Sequence, residues 1–133
     1  FLLVKLGAQV KLCGPKTLIP RDIETLGVSY EINLNKGLKW CDAINVLRIQ
    51  NERMNQRYFP SIREYSNLYG LDELKLKELN KKFVILHPGP INRGVEISSS
   101  LADSSQSVIL DQVQNGVAIR MAITYLLASK LLI

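Results

Sequence analysis

Histidine occurs once in these 133 residues, tryptophan once and cysteine twice, and each scarcity closes off a class of chemistry. With His87 alone there can be no His-rich metal cage, and no loop has calcium-binding spacing, so no metal is expected. Cys13 and Cys41 form neither a CxxC pair nor a Cys/His zinc pattern. They are expected to be buried free thiols in a reducing cytosol. The glycines are isolated, so there is no GxGxxG or GxxxxGK[ST] loop to cradle a phosphate. GxSxG is missing as well, and neither cysteine sits in an electropositive turn, which leaves no activated nucleophile. The apolar start, FLLVKLGAQV, has no basic leader and no small-residue cleavage pattern, so no secretion signal is read there.

Charge of one sign is also in short supply. Lysine and arginine number 17 against 12 acidic residues, a formal +5. The densest basic run, LKLKELNKK at 74–82, has no aromatic residues between its lysines. It reads as a solvated helix end rather than a nucleic-acid footprint, although a mild positive field suits small anionic substrates. Hydrophobic residues make up 47% and charged residues 22%, which is ordinary for one globular domain with a sizeable core. The last segment, VAIRMAITYLLASKLLI at 117–133, is apolar on nearly every face but contains Arg120 and Lys130. No membrane span is expected from it. A helix apolar all round needs burial on more than one side, so this one is expected to leave an apolar surface in want of cover.

What is present alternates short strands with short helices. An apolar helix at 1–6 should stop at Gly7, and a strand at 8–14 should end at Gly14-Pro15. Thr17 is placed to cap a helix running through Pro20 to Gly27. A strand follows at 28–32, then a short helix capped by Asn35, then a nearly continuous apolar strand at 43–49. A long polar stretch at 50–61 lacks periodicity. Ser61 can cap the helix stopped by Gly70, and an amphipathic helix follows at 72–80. The fourth strand, KFVILHPGP, precedes a serine-rich loop and a last helix from about Ser107. This order predicts an α/β fold, three layers α/β/α with a parallel sheet. In such sheets ligands gather at the carboxyl ends of the strands.

Two unusual segments lie at two such ends. In LRIQNER, Arg48, Gln50 and Glu52 alternate as the strand runs out, so an extended backbone would put all three on one wall. Arg48 offers a planar fork for a carboxylate, Gln50 a donor and an acceptor, and Glu52 a partner for the guanidinium. A plain ion pair at the strand end is the other reading. In ILHPGPINRGVEI, two prolines around one glycine fix the backbone. A cis Gly89-Pro90 bond would aim the Pro88 and Gly89 carbonyls into a cleft, ready for N–H groups of an amine or amide. A rigid turn leaving a core strand is the alternative there. His87 reads as a packed or hydrogen-bonding residue rather than a base. Together these features describe a site that positions anionic, amide-bearing reactants without covalent catalysis.

VLRIQNERM at 46–54, ILHPGPINRGVEI at 85–97 and NGVAIRMA at 115–122, together with LGAQVKLCGPKTLIP at 6–20, closely resemble the aspartate carbamoyltransferase catalytic-chain family. Ornithine-using relatives carry a cysteine in the motif equivalent to His-Pro-Gly-Pro and a different strand end in place of LRIQNER. The resemblance implies a Rossmann-like aspartate-binding domain over residues 1–133. That domain would be carboxy-terminal and amino-terminally incomplete, without its first strand and without the carbamoyl-phosphate domain.

The reaction implied is carbamoyl transfer from carbamoyl phosphate to L-aspartate in pyrimidine biosynthesis, in a cytoplasmic homotrimer, with no cofactor, no nucleic acid and no membrane. The resemblance gives Arg48 and Gln50 to aspartate, with Glu52, Arg53 and His87 supporting them. It gives Pro88, Gly89 and Pro90 to carbamoyl phosphate. The family's phosphate loop, its His-Pro-x-Gln segment and the lysine reaching in from a neighbouring subunit lie in the amino-terminal domain, so this chain alone is expected to be inactive. A carbamoyltransferase for another amino acid, or a non-catalytic binding or regulatory domain of the same fold, are the alternatives.

Overall fold

A computed structural model describes residues 1–50 and 59–129. Four strands alternate with helices: α1 (Leu2–Lys5), β1 (Lys11–Cys13), β2 (Ser29–Glu31), α2 (Leu34–Trp40), β3 (Ala43–Asn45), α3 (Ile62–Tyr69), α4 (Glu73–Lys77), β4 (Val84–Leu86), α5 (Ser99–Ala102) and α6 (Ile109–Ser129). Every ladder is parallel, as the strand-helix alternation requires, because only a crossover can return a chain to run beside itself in the same sense. The strands do not form one continuous sheet. β1 pairs with β2 and β3 with β4, in two separate two-stranded ladders.

β4 is the centre of the second ladder. Its Ile85 donates to Gln106 O at 3.0 Å and accepts from Val108 N at 2.9 Å, so the segment before α6 pairs on the side opposite β3. Ile85 is fully buried, and Leu38 of α2, Ile97, Leu101 of α5 and Ile109 of α6 close around it. Burying each such side chain contributes roughly 1.5–3 kcal/mol before entropy is counted. α2 joins the two ladders. Leu38 enters this core, while Gly37 lies so close to Cys13 of β1 that an added Cβ would sit 3.3 Å from its Sγ.

Local chemistry explains most helix starts. Ser61 Oγ accepts from Glu64 N at 3.1 Å, the first half of a Ser-x-x-Glu capping arrangement, and Asp72 and Ser98 cap α4 and α5 in the same way. α2 departs from expectation. Its cap is Asn33, which accepts from Lys36 N at 3.1 Å, and Asn35 lies inside the helix. The segment after β1 departs further. Thr17 caps no helix, and two 3-10 turns, Lys16–Leu18 and Ile23–Leu26, stand on either side of Pro20. Proline at 20 lacks the N–H a continuing helix would need there. Lysines of the basic run also hold backbone. Lys75 Nζ donates to Gly70 O at 2.6 Å, and Lys81 Nζ donates to Cys41 O while pairing with the Asp42 carboxylate at 3.1 Å.

Cys13 is exposed and Cys41 half-buried, so the expected pair of buried thiols is not found; both are free. Packing of the Cys13 sulfur against α2 still desolvates it, and with Glu31 nearby its pKa rises from 9.0 to about 11. Burial likewise raises Tyr65 from 10.0 to about 12. Both groups hold their protons longer folded than unfolded. The Cys13 contribution therefore turns against the folded state as pH rises from 9 towards 11, and that of Tyr65 as pH rises from 10 towards 12. Thermal melts between pH 8 and 10.5 should show a falling Tm, with a shallower fall in Cys13→Ser. A Cys13→Ser profile superimposable on the parent would remove the thiol from the effect.

No helix among the described residues is long and apolar enough to cross a membrane. α6 nonetheless leaves many apolar side chains open to water. Met121 and Tyr125 are 68% and 73% exposed, in keeping with the surface expected at 117–133.

Candidate functional site

The carboxyl ends of β3 and β4 are adjacent, because the two strands are paired in register and parallel. Ala43 stands opposite Val84 and Asn45 opposite Leu86. Beyond the ladder, Val46 N donates to Leu86 O at 2.8 Å, and Asn92 Nδ2 donates to Ile49 O at 3.1 Å. Ile49 lies between Arg48 and Gln50, so the turn after β4 is tied to the backbone that carries both side chains. Arg48 is half-buried and engaged in a contact of its own, and Gln50 is exposed. Glu52 and Arg53 lie outside the described residues, so the expected third member of the wall and its neighbour are not placed.

The turn has the backbone its prolines suggest. Gly89-Pro90 is cis, and Gly89 has a φ of +67°, a conformation that side chains with a Cβ disfavour. Pro88 and Pro90 are exposed and Gly89 is half-buried. His87, at the foot of the turn, is fully buried, and its backbone N donates to Gln112 Oε1 of α6 at 2.7 Å. The ring is bonded on both nitrogens. Gly89 N donates to Nδ1 at 2.9 Å, while Nε2 lies 3.3 Å from Glu96 Oε1. His87 is thus a hydrogen-bonding residue, as the sequence suggested.

The same Glu96 oxygen accepts from Asn92 N at 2.6 Å. Its other oxygen, Oε2, is buried with no hydrogen-bond partner among the described residues. Tyr65 of α3, stacked on Tyr69 at 5.5 Å between ring centroids, is raised by burial first and by the Glu96 charge second. Further along the turn, Arg93 grips Asp103 through two bonds of 2.7 and 2.8 Å and reaches Ser99 O, which fastens the loop to α5. That forked contact holds the Asp103 carboxyl below its ordinary value.

Arg48, Gln50, Pro88, Gly89 and Pro90 are therefore carried by two neighbouring strand ends, with His87 beneath. The sequence reading missed Glu96 and the bridging role of Asn92. In GVEI, Glu96 reads as one polar position of an alternating strand, and its partner His87 lies nine residues away, at a spacing that no helix or strand period matches.

Polar groups gathered outside paired strand ends of a parallel α/β domain stand where such sheets take small ligands. The family model described as aspartate/ornithine carbamoyltransferase, Asp/Orn binding domain, matches residues 1–127, and the chain belongs to that family. It is 66% identical over 131 residues to the aspartate carbamoyltransferase catalytic subunit of Flavobacterium psychrophilum, covering 98% of this chain and 42% of the relative. Against the subunit of the same name from Carboxydothermus hydrogenoformans it is 57% identical, covering 95% of this chain and 41% of that one. The chain thus spans well under half the length of the curated relatives it matches.

Among solved structures, the anabolic ornithine carbamoyltransferase of Campylobacter jejuni superposes with a TM-score of 0.71 at 20% identity, over 93% of this chain and 44% of that one. The aspartate transcarbamoylase of Trypanosoma cruzi, in complex with carbamoyl phosphate and aspartate, gives 0.68 at 23% identity, over 87% and 40%. These two likenesses concern the fold.

Proposed function

We propose that this domain is the aspartate-binding part of an enzyme that transfers a carbamoyl group from carbamoyl phosphate to the amine of L-aspartate, giving N-carbamoyl-L-aspartate and phosphate. The observation that carries the reading is the junction of two strand ends. Asn92 Nδ2 bonds Ile49 O at 3.1 Å, between Arg48 and Gln50, and so ties the proline-pinned turn to the segment bearing the guanidinium. The name shared by relatives up to 67% identical supports aspartate as the acceptor.

Arg48 takes a carboxylate of aspartate in its fork, and Gln50 binds beside it. Pro88 and Gly89 supply carbonyl acceptors that hold N–H groups of carbamoyl phosphate and of the attacking amine, with Pro90 fixing the turn. Glu52, Arg53 and His87 support these groups. Catalysis is then positioning plus electrostatic stabilisation, and needs no cofactor. The remaining partners in this reading are an amino-terminal carbamoyl-phosphate domain and two further copies in a cytoplasmic homotrimer. The pathway is de novo pyrimidine biosynthesis.

The test is the full-length protein assayed with carbamoyl phosphate and either aspartate or ornithine. Carbamoyl-aspartate formation with little product from ornithine is expected. Preference for ornithine would transfer the reading to another amino acid. Tight binding of aspartate without turnover would leave a non-catalytic binding domain.

A further inference from the structure

We infer that Glu96 is a positioning residue for the transfer, acting through His87 to set the direction of the Pro88 carbonyl; the catalytic part of this inference rests on the function proposed above. Gly89 N–H points at His87 Nδ1 over 2.9 Å. An N–H can be accepted only by a nitrogen that carries a lone pair, so the ring keeps its proton on Nε2. That nitrogen faces Glu96 Oε1 at 3.3 Å, and the carboxylate is the acceptor that fixes the tautomer.

The Pro88–Gly89 peptide is planar and trans, so its C=O and N–H point in opposite directions. With the N–H turned inward to the buried imidazole, the Pro88 carbonyl is turned outward, on the exposed side of the turn. A ring with its proton on Nδ1 would set two donors against each other and release this peptide. Asn92 completes the device. Its backbone N–H also ends on Glu96 Oε1, at 2.6 Å, while its side chain holds Ile49 beside Arg48. One carboxylate oxygen therefore registers the carbonyl-bearing turn against the guanidinium-bearing strand end.

The setting makes a purely packing role a poor account of Glu96. It is 1% exposed, both hydrogen bonds end on the same oxygen, and Oε2 is buried without a partner among the described residues. An apolar side chain of similar volume would fill that space without burying a carboxylate. What an apolar side chain cannot do is accept the Nε2 proton.

The experiment uses the full-length protein labelled with 15N, the His87 signals being assigned by their loss in His87→Gln. Long-range 1H–15N spectra of the parent should show Nε2 protonated and Nδ1 bare. The reverse pattern would overturn the inference without any variant. Glu96→Gln keeps an acceptor oxygen, and should keep the tautomer and at least about a tenth of kcat. Glu96→Leu should lose the tautomer and lower kcat about 10- to 100-fold, the range for groups that orient an active residue, while KM for aspartate changes less. A Glu96→Leu protein that folds and turns over at the parent's kcat would sink the proposal. If Glu96→Leu does not fold, the parent spectrum and Glu96→Gln still decide. Failure of the parent to carbamoylate aspartate would instead remove the transfer reading, and the tautomer assignment would still be tested on its own.

Discussion

Arg48→Ala in the full-length protein is expected to raise KM for aspartate steeply and to lower kcat/KM by two to three orders of magnitude, with a smaller change in kcat. Truncating one partner of a desolvated charge pair costs about 2–5 kcal/mol, or roughly thirty-fold to several-thousand-fold at 1.4 kcal/mol per decade. Arg48 is half-buried beside paired strand ends, so under the proposed function its fork would meet a carboxylate with less screening than at an open surface. A group that binds ground state and transition state alike appears in KM rather than kcat. Arg48→Lys keeps the charge but loses the planar fork, and should fall between parent and alanine. Initial-rate kinetics across aspartate concentration, beside a thermal melt to confirm folding, check the result. An unchanged KM would remove Arg48 from the site.

How much of this was open to a reader of the sequence depends on the range of each interaction. The Pro-Gly-Pro turn and the helix beginning after Ser61 were legible because their causes are local. Proline restricts its own φ, and Ser61 reaches an N–H three residues on. The choice between Asn33 and Asn35 as the cap of α2 was not legible from spacing, since either could reach an N–H three positions along. Packing decides it, because Leu34 and Leu38 lie one turn apart and both face the core.

Strand ends were overestimated for a similar reason. Apolar residues at 43–49 read as one strand, yet the ladder with β4 covers Ala43–Asn45 only, because pairing depends on a partner that sequence does not display. Arg48 and Gln50 could be singled out from their side-chain chemistry. Glu96 could not, since its role exists only once the turn at 87–92 folds back over it.

Residues 1–133 expressed alone are expected to give no carbamoyl transfer above background, against ordinary turnover by the full-length protein. The proposed chemistry draws its rate from holding two reactants in register, and effective molarities of about 10⁵–10⁸ M are lost when one of them is not held. The groups gathered here among the described residues, a guanidinium, an amide and the carbonyls of a turn, would suit an amino acid's carboxylate and amine. The curated relatives are more than twice this length, with 42% of the first of them matched. The surface argues in the same direction. Along α6, Ile119, Leu126 and Leu127 are 60%, 61% and 62% exposed, and near the start of the chain Leu2 and Leu6 are 72% and 83% exposed. Apolar area on that scale is unusual on a protein that works alone. The isolated chain should therefore bind a hydrophobic dye or self-associate, and co-expression with the rest of the full-length protein should lower dye binding and restore turnover together. Turnover by residues 1–133 within tenfold of the full-length protein would contradict the division of labour on which the proposed function rests.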